Sequence, residues 1–251
     1  MNMNPIEQFE MERQERIKNL GKDEEFQKHS SAWLEMSMRK QYVYNFSWMG
    51  RPIIQNPIDI MAMQELIWQV QPDIIIETGI AHGGSIIFSA SMLELIAASG
   101  GNPDGVVVGI DIDIRQHNKD AILQHPMAKR IRMIQGSSIA EDVVDQVKKV
   151  VKDKKGVMVF LDSNHTYDHV LAELEAYAPL VTKNSYCVVF DTFVEDVPAD
   201  VFENRPWHPG NSPKTAVHAY LKQHKEYIID QDMQNKLQIT VAPDGFLKRI
   251  D

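Results

Sequence analysis

The sequence predicts an α/β fold, a mostly parallel, doubly wound sheet behind an N-terminal helical arm, and three observations carry that prediction. Short apolar runs alternate with helical patterns over most of the 251 residues. One run, DIIIETGIAHGGSIIF at residues 73–88, passes from a β-branched strand through an acidic residue and a glycine-rich turn into a helix. Later runs also end in carboxylates, at Asp111, Asp162 and Asp191. Strand–helix alternation of this kind builds parallel sheets with helices on both faces, and ligands bind at the carboxyl ends of such strands.

Taken in order, residues 5–40 are charged and helix-prone, with Phe9, Ile17, Leu20, Phe26, Trp33 and Met36 as an irregular apolar stripe. We expect residues 1–50 to form a helical arm that serves as a lid, an oligomer contact or an outer layer on its own domain, and residues 51–251 to form the α/β domain. A Pro- and Gly-marked segment at 48–57 precedes a helix over 58–70. Ile74, Ile75 and Ile76 read as a strand buried on both faces. Gly79, Gly83 and Gly84 let the chain turn tightly, and Ser85 is positioned to cap a helix over 86–98. Further strands are expected at 106–110, 131–134, 157–161, 186–190, 227–230 and 237–241, with helices at 141–151 and 169–180.

Composition removes several functions. Hydrophobic content of 43% in 251 residues is enough for one full core. A net charge of −9 disfavours general attraction to nucleic acid or anionic membrane and favours a small-molecule partner. Cys187 is the single cysteine, so no intrachain disulfide forms and a reducing compartment is expected. The longest apolar helix is too short to span a bilayer, and MNMNPIEQFEMERQER lacks the apolar core of a secretory signal. Together these point to the cytoplasm.

The turn after the first strand is G-x-x-x-G-G rather than the G-x-G-x-x-G of pyrophosphate binders. Glu77 would repel a diphosphate but suits a cationic or hydroxyl-bearing ligand, and S-adenosylmethionine offers a sulfonium, an ammonium and ribose hydroxyls. Asp111, with Asp113 in reserve, ends the second strand where a carboxylate accepts from ribose hydroxyls. Its separation from Gly79 exceeds the roughly 20 residues of dinucleotide folds, which weakens a nicotinamide-dependent oxidoreductase. Helix capping is the plainer role for Asp111, as it is for Ser137 and Ser138 in the QGSS turn.

The densest polar cluster is DSNHTYDH at 162–169. Asp162 and Asp191 leave neighbouring strand ends, where two carboxylates can share a magnesium ion. His165 beside them is a candidate general base. Asp162, His165 and His169 could instead form an iron site, and Asp162 could simply cap a helix. In RPWHPGNSPK, Trp207 could stack on a sugar with His208 and Asn211 bonding hydroxyls, or the loop could be a rigid surface turn.

These blocks, with GRPIIQNPIDIMAMQELIW, VFLDSNHTYDHVLAELEAYAPLV and VVFDTFVED, resemble the family named for cephalosporin hydroxylase and rhamnosyl O-methyltransferase from Tyr42 onward. The resemblance implies a Rossmann-like class I methyltransferase fold, S-adenosylmethionine as cofactor, magnesium beside the methyl acceptor, and a homo-oligomer. It places Glu77, Gly79, Ala81, Gly83, Ser85, Asp111, Ser137 and Ser138 at the cofactor, Asp162 and Asp191 at the metal, and His165 with Asp162 at the chemistry. Related macrolide-sugar enzymes have adjacent acids where this chain has Phe190-Asp191, so Glu195 or Asp196 is expected to supply the missing ligand. The implied reaction is O-methylation of a sugar or secondary-metabolite hydroxyl; cephem hydroxylation and a non-catalytic nucleoside-binding protein are the competing readings.

Overall fold

A computed structural model describes residues 4–251; residues 1–3 of the expected arm lie outside the described residues. The arm is two helices, α1 (Pro5–Leu20) and α2 (Glu24–Arg39), each started by a side-chain cap from Asn4 and Asp23. A 3₁₀ turn at Tyr42–Asn45 leads into an antiparallel hairpin, β1 (Phe46–Trp48) with β2 (Arg51–Ile53). The hairpin reverses at Met49 and Gly50, both at positive φ, so the expected boundary at residue 50 falls in its turn.

Then come α3 (Pro57–Val70), β3 (Ile74–Thr78), α4 (Gly84–Ala98), β4 (Val106–Asp111), α5 (Gln116–Leu123), β5 (Ile131–Gln135), α6 (Glu141–Val151), β6 (Val157–Leu161) and α7 (Tyr167–Tyr177). The chain closes with β7 (Tyr186–Val189), α8 (Pro213–Gln223), β8 (Tyr227–Ile229), α9 (Gln231–Leu237) and β9 (Phe246–Arg249). The seven-stranded sheet has the order β5-β4-β3-β6-β7-β9-β8. Its first five strands run parallel, and β9 is antiparallel to both neighbours.

Strand alternation sorts the core into two layers. Ile75, Val107, Met158 and Val188 face α3 and α4, whereas Ile74, Ile76, Val108, Val159 and Leu161 face α6, α7 and α8. Each fully buried aliphatic side chain contributes on the order of 1.5–3 kcal/mol. Cys187 lies in the second layer, and burial pushes its thiol up, as expected of an inert core residue. Among the described residues, no helix is long and apolar enough to cross a membrane.

Several expectations need correction. The strand expected at 237–241 is not formed: Leu237 ends α9, which starts where the Asp230 side chain accepts from Met233 N–H. Beyond it, Thr240 and Val241 are tied down by Asp59, and the place beside β7 is taken by β9. Ser85 does not cap α4; Gly83, at φ +86°, occupies that position without a side-chain bond. The helix expected from 169 starts two residues earlier, at Tyr167.

Asp59 is fully buried in the first turn of α3. One carboxylate oxygen accepts from the Thr240 hydroxyl at 2.5 Å and the other from Val241 N–H at 2.9 Å. Replacing Asp59 by Ala strands both donors, so Asp59→Ala should lower stability by about 2–4 kcal/mol. Asp59→Asn, keeping one acceptor, should cost less; equal urea midpoints for Asp59→Ala and the parent chain would refute the assignment.

Candidate active site

Parallel register sets the carboxyl ends of β3, β4, β6 and β7 side by side, and the polar residues that follow them meet there. Gly79, just past β3, has φ +91°, and any Cβ on it would overlap the carbonyl oxygen of Asp162. A Cβ on Gly84 would strike the Pro52 carbonyl. The turn is therefore wedged between the strand end carrying Asp162 and the segment after β2, which only glycine allows.

Hydrogen bonds brace the turn from behind. Asp111 Oδ2 accepts from Ile80 N–H at 2.8 Å and Ala81 N–H at 3.1 Å, and Oδ1 accepts from Asp113 N–H. Arg51 donates to the His82 carbonyl and to Asn118 Oδ1, and Asn118 donates back to the Ala81 carbonyl. This holds Ala81 at φ +44°, a conformation costly for a residue with a Cβ. Arg51 and Asn118 carry no local sequence signal, because their partners, the His82 and Ala81 carbonyls and each other, lie far away in the chain.

A cavity of about 640 Å³ opens between this turn and the later strand ends. Gly79, Ala81 and Ser85 line one side, with Asp162, His165 and Asp191 on the other. Met38, Val43 and Tyr44 of the arm and Phe202, Arg205 and Trp207 complete the wall. Glu77, Gly83, Asp111, Ser137 and Ser138 are outside the lining. Glu77 is buried at the end of β3, where Ser89 donates to it at 3.2 Å. Burial pushes its carboxyl up to about 7, partly offset by the hydroxyls of Ser85 and Ser89. Ser138 Oγ instead meets His169 Nε2 at 3.1 Å, and Tyr177 donates to the Ser138 carbonyl.

Asp162, His165 and Asp191 bring one ligand atom each to within 4.8 Å of one another. His165 Nε2 lies 2.9 Å from Asp191 Oδ2, and Asp191 adopts φ +55°. Burial pushes the Asp162 carboxyl well up, reinforced by the Asp191 charge beside it. Burial alone would push His165 down, but the ion pair and hydrogen bond with Asp191 outweigh it and raise the imidazole. Two carboxylates and an imidazole, partly buried and converging, fit a divalent cation.

Other candidates go elsewhere. Glu195 accepts from Gly210 N–H and the Ser212 hydroxyl, and Asp196 pairs with Lys214, so neither replaces the acid absent at Phe190. His169 faces Ser138, Ser163 and Glu173 rather than the Asp162 cluster, which dismantles the iron arrangement. Asp162 caps no helix: α7 starts after Thr166 without a side-chain cap. Asn211 is consumed by the Pro206 carbonyl and Tyr167 N–H, and His208 by Pro209, so that loop is a closed turn from which Arg205 and Trp207, but neither His208 nor Asn211, reach the cavity. The Trp207 ring meets His165 edge-on with centroids 4.6 Å apart.

The sequence matches the family Rhamnosyl O-methyltransferase/CmcI over residues 40–250. The chain belongs to that family. Rhamnosyl O-methyltransferase of Mycobacterium leprae is 29% identical over 222 residues, covering 84% of this chain and 88% of the relative. That of Mycobacterium tuberculosis is also 29% identical, covering 84% and 82%. The class I methyltransferase fold of the family is seen in two CmcI structures. An apo form superposes with a TM-score of 0.57 at 18% identity, covering 83% of this chain and 77% of that one. A form with Mg and SAM gives 0.55 at 16% identity, covering 83% and 78%.

Two buried carboxyls of this family member, Glu77 and Asp59, are each pushed up to about 7, chiefly by burial. Their neutral forms are favoured in the folded state, so their contribution is complete below the unfolded value near 4.5 or 3.8 and lost as pH rises through about 7. Melting of the ligand-free protein should therefore fall from pH 5 to pH 8, and Glu77→Gln should flatten that fall. A slope unchanged by Glu77→Gln would contradict the burial assigned to it.

Proposed function

We propose that the protein is an S-adenosylmethionine-dependent O-methyltransferase acting on a hydroxyl of a sugar, rhamnosyl-like, or of a secondary metabolite, with magnesium assisting. The single observation that carries this reading is the cavity that joins the glycine turn to Asp162, His165 and Asp191. The rhamnosyl O-methyltransferase relatives from mycobacteria and the CmcI structure with Mg and SAM support it.

When bound, the cofactor supplies an electrophilic methyl group and the cation lowers the pKa of a neighbouring hydroxyl. The chain's own residues do the rest. Gly79, Ala81 and Ser85 offer backbone and hydroxyl contacts to the cofactor, with Glu77, Gly83 and Asp111 fixing the turn, while Ser137 and Ser138 stand outside the lining, Ser138 against His169. Asp162 and Asp191 would hold the cation. An alcohol is a poor nucleophile until it sheds its proton, and His165 accepts that proton at a ring nitrogen. The walls hold both reactants in one place, which supplies much of the remaining rate.

Apolar side chains left exposed on the arm, Ile6, Phe9, Met11 and Met36, support its packing against a second copy. Sedimentation at micromolar concentration should then give a species heavier than 28.7 kDa; a monomer would remove the oligomer from this reading.

Calorimetry with S-adenosylmethionine, S-adenosylhomocysteine and NAD, with and without magnesium, tests the function directly: adenosyl ligands should bind at micromolar concentration and NAD should not. His165→Ala should abolish turnover while changing S-adenosylhomocysteine affinity less than about threefold; parallel loss of both would sink its role as base. Asp111→Ala, which frees the turn, should weaken the adenosyl ligand by about tenfold or more. Unchanged affinity would count against Asp111 as part of the cofactor site.

A further inference from the structure

Polar atoms without partners gather around the cavity. Gln55 Oε1, Asn56 Nδ2 and Trp207 Nε1 are all buried and unpaired, and all three residues line it. Unpaired buried polar atoms are uncommon in a complete protein and mark where a ligand finishes the network. Gln55 stands out because its other hand is engaged: Nε2 donates to Asp162 Oδ2 at 2.8 Å. The residue is 7% exposed, and its surroundings hold it there. Asn56 caps α3, Pro52 abuts Gly84, and Asp59 locks α3 to Thr240 and Val241.

We infer that Gln55 is a positioning residue for the divalent cation: its amide N–H orients the Asp162 carboxylate for binding, and its carbonyl accepts from a water or hydroxyl held at the site. Asp162 lies beside Asp191 with only His165 to offset the two charges. With Oδ2 fixed by the amide, the carboxylate keeps a defined rotamer despite that repulsion and leaves Oδ1 for the cation. Groups that orient metal ligands commonly alter metal affinity by 10–100-fold when removed. This inference rests on the metal-assisted reading above.

The test is titration of the full chain with Mn²⁺, followed by paramagnetic resonance and calorimetry, alongside S-adenosylhomocysteine titration and thermal melting. Gln55→Leu leaves an apolar side chain one bond shorter and removes both amide groups. It should weaken Mn²⁺ by about 10-fold or more while leaving S-adenosylhomocysteine within threefold. Gln55→His, whose ring Nε2–H can donate from a similar reach, should keep Mn²⁺ affinity within about threefold of the parent and keep the rise in melting temperature that Mn²⁺ gives it. If Gln55→Leu binds Mn²⁺ like the parent, or both variants weaken it alike, the positioning role is overturned. If the parent chain takes up no Mn²⁺, the metal reading itself fails and this inference with it.

Discussion

The close approach of two backbones at Gly79 is the constraint on which the site depends. β3 lies between β4 and β6, and the turn leaving it must pass over the strand end that carries Asp162. A side chain at Gly79 would push the turn away from Asp162, and one at Gly84 would push it away from Pro52. Glycine at both points lets three segments distant in sequence share one wall. The cofactor turn, the carboxylate cluster and Gln55 are neighbours for that reason. The fixed separation between the turn and the cluster comes from the sheet, so it costs no ordering when ligands arrive.

Within that frame the electrostatics are unfinished. Glu77, Asp162 and Asp59 are carboxyls pushed above their usual range by burial, and none has a Lys or Arg beside it. Stable cores seldom keep such groups unless something compensates them. Asp59 is compensated by hydrogen bonds from the 240–241 segment and belongs to the scaffold. Asp162 is held only by the Gln55 amide and the nearby His165. A cation held by Asp162 and Asp191 would remove the repulsion that they impose on each other, so the proximity that costs stability would favour binding of the cation.

Much of this was legible from the residues, and the parts that were not share a cause. Strand 157–161 and helix 141–151 form with the bounds the sequence predicts, because a continuous apolar run and a regular valine stripe leave little alternative. The carboxyl-end acids were equally readable, since topology alone brings Asp162 and Asp191 together. By contrast, Leu237 to Val241 reads as a strand yet is divided between a helix end and a segment fixed by Asp59, a partner about 180 positions away. Phe246, Leu247, Lys248 and Arg249 form a strand although two of the four are cationic, because β7 and β8 supply the pairing. Gln55, Arg51 and Asn118 carry no local pattern; their roles exist only once Gly79 and Gly84 have closed the turn.

His165 joins these levels. Its Nε2 lies on Asp191, and its ring is flanked edge-on by Trp207, so its charge follows the state of the carboxylate pair. With the pair uncompensated, the carboxylates raise the imidazole and favour its protonated form, although burial works against them. A cation held by Asp162 and Asp191 would offset the negative charge that raises the imidazole, and so would favour the neutral form that a general base requires. Under the proposed function, proton acceptance at His165 would thereby be tied to occupancy of the carboxylates. The same coupling explains why a histidine, and not a lysine, suits this position: its unperturbed pKa lies close enough to neutrality for one neighbouring charge to switch it.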